Sequence, residues 1–221
     1  MTFEKKKESA LPQAFCQSTD TEEFLSDSGF RESVEKPKLL LHSCCGPCST
    51  AVVERLTDEF DVTIFFYNPC ITDEKEYQLR RNAQIDFIEK YNMEHIGETK
   101  VYFKETDYRP TEFFEATEGL ENEPEGGARC SVCFTQRLER TAGEAVLSGF
   151  DYFGTTLTVS PHKNYKLISD IGRNLALKYG VSFLDRDFKK KDGFRRSVEL
   201  SKKYDLYRQN YCGCEYSIWD K

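Results

Sequence analysis

The sequence predicts an α/β fold, a parallel sheet flanked by helices in a Rossmann-like three-layer sandwich, and three observations lead there. Short, almost wholly apolar stretches recur along the chain and read as strands buried on both faces. Stretches with a helical apolar period separate them. Chemistry-bearing residues follow the carboxyl ends of those strands, where open parallel sheets bind ligands.

Residues 1–36 are polar with no sustained period and contain Cys16. They read as an extension ahead of a single α/β domain over 37–221 that ends in a Cys-Gly-Cys tail. KLLLHS, from Lys38, is the first strand, and STAVVERLTDE the helix after it. DVTIFFYN is a β-branched and aromatic second strand. Tyr77, Leu79, Ile85, Phe87 and Ile88 give 73–91 a helical period. KVYFKE is a third strand, and 110–120 a short helix. EGGARC leads into a helix over roughly 130–147. DYFGTT is a fourth strand, and NYKLISDIGRNLALKYG a helix that stops at Gly180, a C-cap glycine. VSFLDRDF is a fifth strand, and Asp192–Tyr204 the last helix. The first, fourth and fifth strands deliver Cys44, Cys45 and Cys48, then Thr155 and Thr156, then Asp185 and Asp187 to one rim.

At 221 residues the chain is long enough for a well-buried core. Charged residues make up 31% and mean hydropathy is −0.63. No run approaches the roughly 20 apolar residues of a membrane helix, and the N-terminus has no apolar signal core. The expected setting is a reducing cytoplasm, with no membrane partner, where thiols act as ligands or catalysts. A net charge of −7 argues against non-specific nucleic-acid binding. The stretch Asp185–Arg208 departs from it, with nine basic and five acidic residues and interleaved Phe188, Phe194, Tyr204 and Tyr207. This is an RNA footprint or the solvated face of an amphipathic helix.

Seven of the nine cysteines fall into three groups, CCGPC (Cys44, Cys45, Cys48), CSVC (Cys130, Cys133) and CGC (Cys212, Cys214). Cys130 and Cys133 share one face at a helix start, where the dipole and Arg129 and Arg137 favour thiolate. With two of the first three cysteines they make a four-thiolate set, which fits zinc and an iron–sulfur cluster equally well. CGPC after a strand also has the thioredoxin spacing, but that reading leaves CSVC and CGC without a role. A disulfide closed across CGC is a very small ring, easily reduced, and suits electron transfer better than stapling; two further metal ligands or two inert thiols are the other readings.

The pieces LLLHSCCGPCS, FFYNPCI, EYQLR, TDY, RCSVCFTQRLERTA, FGTTLTVSPHKN and RQNYCGCEYS occur in this order over 38–218. Together they resemble the cobalamin-independent epoxyqueuosine reductases. The resemblance implies an oxidoreductase that removes the epoxide oxygen of epoxyqueuosine in tRNA by two-electron reduction, giving queuosine. It implies a 4Fe–4S cluster with a mononuclear iron beside it, fed by an external electron donor. Carried over, Cys44, Cys45, Cys130 and Cys133 look like the cluster ligands, and Cys212 and Cys214 the redox-active pair. Cys48 or Asp107 is expected to help hold the second metal, Asp107 because it follows the third strand toward the same rim. Thr155, Thr156, Ser160, His162 and Lys163 offer substrate contacts, with His162 a candidate proton donor or a structural histidine. Tyr211 and Tyr216 flank the tail, and Lys189–Arg196 would face the tRNA backbone. Where that family commonly reads Tyr-Asn-Pro-Asn, this chain has Tyr67-Asn68-Pro69-Cys70, an extra thiol with no assigned role.

Two other readings stay open: a zinc-stabilised RNA-binding module without catalysis, and a sulfur-transferring tRNA enzyme. The second shares a HUP/PP-loop-like fold, but SCCGPCS lacks the paired glycines that cradle a phosphate.

Overall fold

The computed structural model describes residues 35–217, so the extension expected over 1–36 lies almost entirely outside them. The elements are β1 (Lys38–His42), α1 (Gly46–Leu56), β2 (Asp61–Phe66), α2 (Glu74–Glu94), β3 (Tyr102–Glu105), α3 (Thr111–Ala116), α4 (Ala128–Leu147), β4 (Tyr152–Thr155), α5 (Tyr165–Tyr179), β5 (Ser182–Phe183) and α6 (Gly193–Lys203). The five strands form one sheet in the order β3-β2-β1-β4-β5, with every pair parallel. Among the described residues no helix is long and apolar enough to cross a membrane.

Side-chain alternation along the central strands builds the two cores. Leu39, Leu41, Val62 and Ile64 pack with Val52, Val53, Phe87 and Leu200 of α1, α2 and α6. Leu40, Phe65 and Phe153 face the other way, onto Phe134, Leu138, Ile168 and Leu175 of α4 and α5. Leu39, Leu40 and Leu41 are fully buried. Burying each is worth roughly 1.5–3 kcal/mol, which makes β1 a central strand rather than an edge. The strand order reverses between β1 and β4, so a crevice opens beyond their carboxyl ends.

Several boundaries differ from the sequence reading: α2 runs on to Glu94 and α3 stops at Ala116. Helix α1 starts at Gly46, not Ser49, because Pro47 sits in its first turn, where a missing N–H costs nothing. Strand β5 keeps only Ser182 and Phe183. Asp185 is drawn instead to α5, accepting from Tyr165 Oη at 2.9 Å, Ser169 Oγ at 2.8 Å and Arg173 Nε at 2.7 Å. It serves the packing of α5, not the rim.

Candidate active site

The crevice beyond β1 and β4 is a cavity of about 720 Å³, whose walls include Cys44, Cys48, Arg137, Thr156, Lys163 and Cys212. Its floor is a buried polar platform. His42 Nε2 donates to the Tyr67 carbonyl at 3.2 Å and Nδ1 accepts from Thr155 Oγ1 at 3.1 Å, the one tautomer a carbonyl permits. Ser43 Oγ donates to Gln84 Oε1 at 2.8 Å, Gln84 Nε2 to Ser49 Oγ at 2.9 Å, and Asn68 Nδ2 to the Ser43 carbonyl at 2.9 Å. These bonds fix the backbone that enters the cysteine turn. Burial and the Arg137 charge push His42 down to about 4, so it stays neutral. His42 is thus a structural histidine, whereas His162, expected as a proton donor or a structural histidine, is exposed on the cavity wall.

The thiols gather from four segments. Cys45 is the N-cap of α1, with extended backbone, and Cys48 lies in that helix's first turn. Cys44, Cys45 and Cys48 are mutual neighbours: Cys45 and Cys48 donate to Cys44 and hold it well below the usual thiol range. As its donor, Cys45 is pushed up to about 12. Gln209 Nε2 donates to Cys45 Sγ at 2.9 Å. Across the crevice, the first turn of α4 carries Cys130, whose sulfur accepts from the Gly126 N–H at 3.2 Å. Cys133, one turn on, donates to Cys70 and lowers it to about 6 against the opposing effect of burial. Cys70 therefore belongs to the site, a placement that its position after β2 hints at and no motif supplies.

Arg137 follows Cys133 by one more turn of α4. Its Nε donates to the Cys133 carbonyl at 3.2 Å, the residue is 2% exposed, and one terminal nitrogen has no hydrogen-bond partner. Burial disfavours its charge, but Cys133, Cys70, Cys44 and Cys212 around it outweigh that and keep it cationic. A buried guanidinium with an orphaned nitrogen among four sulfurs is a site shaped for an anion.

The tail is clamped over these groups. Arg80, fully buried, donates through its two terminal nitrogens to the Cys212 carbonyl at 3.0 Å and the Tyr211 carbonyl at 3.1 Å. Its Nε pairs with Glu76 at 2.6 Å, whose other oxygen accepts from Tyr207 Oη at 2.6 Å. Arg129 lies 4.4 Å over the Tyr216 ring. Gly213 has φ +123°, and a Cβ there would stand 3.1 Å from Ile71 Cγ1, so the residue between the two cysteines must be glycine. Among the described residues all eight cysteines are free, so the Cys212–Cys214 ring is open. Both line a small cleft with Cys70, Cys130 and Cys133; Cys212 accepts from Lys163 Nζ at 2.9 Å, and Cys214 belongs to the apolar cluster of Cys70, Phe66 and Phe113.

Asp107 is not brought to the thiols. Its side chain is 80% exposed and pairs with Arg109 at 2.9 Å. The neighbouring Tyr108 turns inward instead, donating to the Ile71 carbonyl at 2.8 Å, which sends Asp107 outward. Among the described residues no three Cys, His, Asp or Glu side chains stand grouped as ligands for a metal ion. The basic stretch also sorts itself. Arg195 pairs with Asp192 and Glu199, and Arg196 with Glu54 and Glu199. Lys190 and Lys191 are exposed and have no ion pair among the described residues. Their carbonyls are held by Arg55 at 3.0 and 2.8 Å, beside Phe194 at the cavity wall.

A family model described as epoxyqueuosine reductase QueH matches residues 39–220. The chain is 48% identical over 187 residues to the epoxyqueuosine reductase QueH of Streptococcus pyogenes serotype M1, covering 85% of this chain and 72% of that protein. It is 43% identical over 185 residues to the Staphylococcus epidermidis protein of the same name, covering 83% and 77%. Against that of Thermotoga maritima it is 36% identical over 183 residues, covering 83% and 91%.

Proposed function

The chain belongs to the epoxyqueuosine reductase QueH family and is an epoxyqueuosine reductase; from that premise we propose that it acts on epoxyqueuosine carried in tRNA, using a 4Fe–4S cluster held by Cys44, Cys45, Cys130 and Cys133. The observation that carries the cluster is Arg137: an orphaned, buried guanidinium among thiols calls for concentrated negative charge beside it. The donor set is all cysteine sulfur, which as thiolate is the ligand chemistry of iron–sulfur centres. When bound, such a group supplies single electrons to a substrate in the adjoining cavity. A mononuclear iron beside it would draw on Cys48, the remaining thiol on the cavity wall.

The chain's own residues bind and shield. Arg137 offsets the charge of the thiolates, and Gln209 fixes the Cys45 sulfur. Thr156, Ser160 and Lys163 line the wall where the cyclopentane ring would lie. The tail closes the thiols from water through Arg80 and Arg129. Cys212 and Cys214 form the redox-active pair, which takes electrons from an external donor when it cycles between dithiol and disulfide.

The test is iron, zinc and acid-labile sulfide on protein purified without oxygen, followed by reduction of epoxyqueuosine tRNA. Brown protein with sulfide, and iron in excess of it, is expected, together with conversion. Colourless protein carrying only zinc would overturn the cluster and favour a zinc-stabilised module. Cys48→Ala is expected to lose the excess iron and Asp107→Ala to retain it; equal iron in both removes Cys48 from the second site.

A further inference from the structure

We propose that Lys163 is the acid that protonates the departing epoxide oxygen, oriented for that task by Cys212 and Glu125. The proposal rests on the reading that the epoxide is reduced in the cavity described above.

The turn after β4 places this lysine. Asn164 caps α5 by accepting from the Leu167 N–H at 3.2 Å, and the Lys163 carbonyl accepts from Lys189 Nζ at 2.9 Å. The backbone is thereby fixed on both sides of the residue. The stem is buried, with the side chain only 11% exposed. An ammonium carries three hydrogens. One goes to Cys212 Sγ at 2.9 Å and a second toward Glu125 Oε1 at 3.4 Å. The third has no hydrogen-bond partner among the described residues; Nζ stands 5.8 Å from the centroid of the Phe134 ring, and the side chain forms part of the cavity wall.

The other groups on that wall are less suited. The Arg137 guanidinium is never deprotonated in proteins. Thr156 Oγ1 points to Ser43 Oγ, at 3.5 Å. His162 is exposed to bulk water. Lys163 is kept charged: burial disfavours the ammonium, but the Cys212 sulfur beside it more than compensates. The same neighbours make it a weaker acid than a free ammonium, but it always carries a proton, and an alkoxide is basic enough to take that proton.

The balance is simple. Opening the epoxide breaks one C–O bond, and its electron pair stays on oxygen. The Lys163 N–H bond breaks as an O–H bond forms. The second C–O bond then breaks, and the hydroxyl leaves as water with a second proton taken from solvent. The two electrons supplied by the reductase's external donor remain as the new C=C bond. Lys163 regains its proton from water at Glu125, whose side chain is 27% exposed.

The experiment uses the iron-loaded holoenzyme without oxygen, comparing wild type, Lys163→Ala and Lys163→Arg on epoxyqueuosine tRNA. Lys163→Ala is expected to bind the tRNA within about 3-fold of wild type, while kcat falls by about 100-fold or more, the usual worth of a general acid. Ethylammonium is expected to restore rate to Lys163→Ala, and a series of alkylammonium ions to do so in order of acidity, which a merely structural lysine would not produce. Lys163→Arg keeps the charge and is expected to remain slow with full iron and sulfide content. If Lys163→Ala keeps kcat, if its whole defect lies in tRNA affinity, or if no small amine restores rate, the assignment is overturned while the reductase reading survives. Wild type that makes no queuosine overturns that reading itself.

Discussion

His42 links a single ring to the stability of the whole chain. Its folded value of about 4 lies below the ordinary value of 6.5, chiefly through burial. As pH falls through 6.5 the unfolded chain binds a proton that the folded chain refuses. Stability is therefore full above that value and is lost as pH falls toward 4, by roughly 3 kcal/mol in all. About 2 kcal/mol of this is expected between pH 7 and pH 5, read as a falling urea midpoint. His42→Gln is expected to flatten that stretch of the profile, and an unchanged slope would assign the pH dependence elsewhere. Arg80 is the second residue with a large expected cost. Arg80→Met leaves Glu76 buried with Tyr207 alone and frees two tail carbonyls, so a loss of about 3–5 kcal/mol is expected. The same variant should open Cys212 to alkylation, since the bonds that hold the tail's backbone are gone.

At the scale of elements, the crossing of α1 and α2 is the tightest constraint around the thiols. A Cβ at Gly46 would lie 2.4 Å from the Ala83 carbonyl oxygen. Gly46→Ala must therefore push two buried helices apart, and a cost of about 1–3 kcal/mol is expected in denaturant unfolding. The glycine of CCGPC thus serves helix approach, not dithiol chemistry. The strands and helices are legible in sequence because apolar runs and helical periods are local signals, and LLLH and DVTIFF form strands as their patterns predict. The truncation of β5 is not legible, because the bonds that end it come from Tyr165, Ser169 and Arg173 on a different element. The three cysteine groups are visible from spacing. The roles of Cys70 and Arg80 are not, since Cys70 meets Cys133, and Arg80 meets Cys212, only after the sheet has assembled. Asp107 departs from its expected place for a related reason: following a strand fixes a residue's end of the sheet, while its neighbour's packing fixes which way it faces.

Across the whole molecule, charge is distributed so that an acidic chain can still meet a polyanion at one place. Lys190 and Lys191, without carboxylate partners among the described residues and with their carbonyls held by Arg55, come just before Phe194, which borders the cavity. Lys190→Glu is expected to weaken tRNA binding and lower the slope of log K against log salt by about 0.7–0.9 for each phosphate that is no longer neutralised. Arg195→Glu is expected to change the slope less, because Asp192 and Glu199 already neutralise that guanidinium. An equal effect of the two variants would move the nucleic-acid interface along α6. The clamp that Arg80 and Arg129 close on 211–216 also sets an order of events during synthesis. Cys44, Cys45, Cys130 and Cys133 leave the ribosome well before the segment that covers them. Until that last stretch docks, the thiols it covers stand open to oxidants, so chains still being made are expected to lose more thiol to oxygen than finished ones.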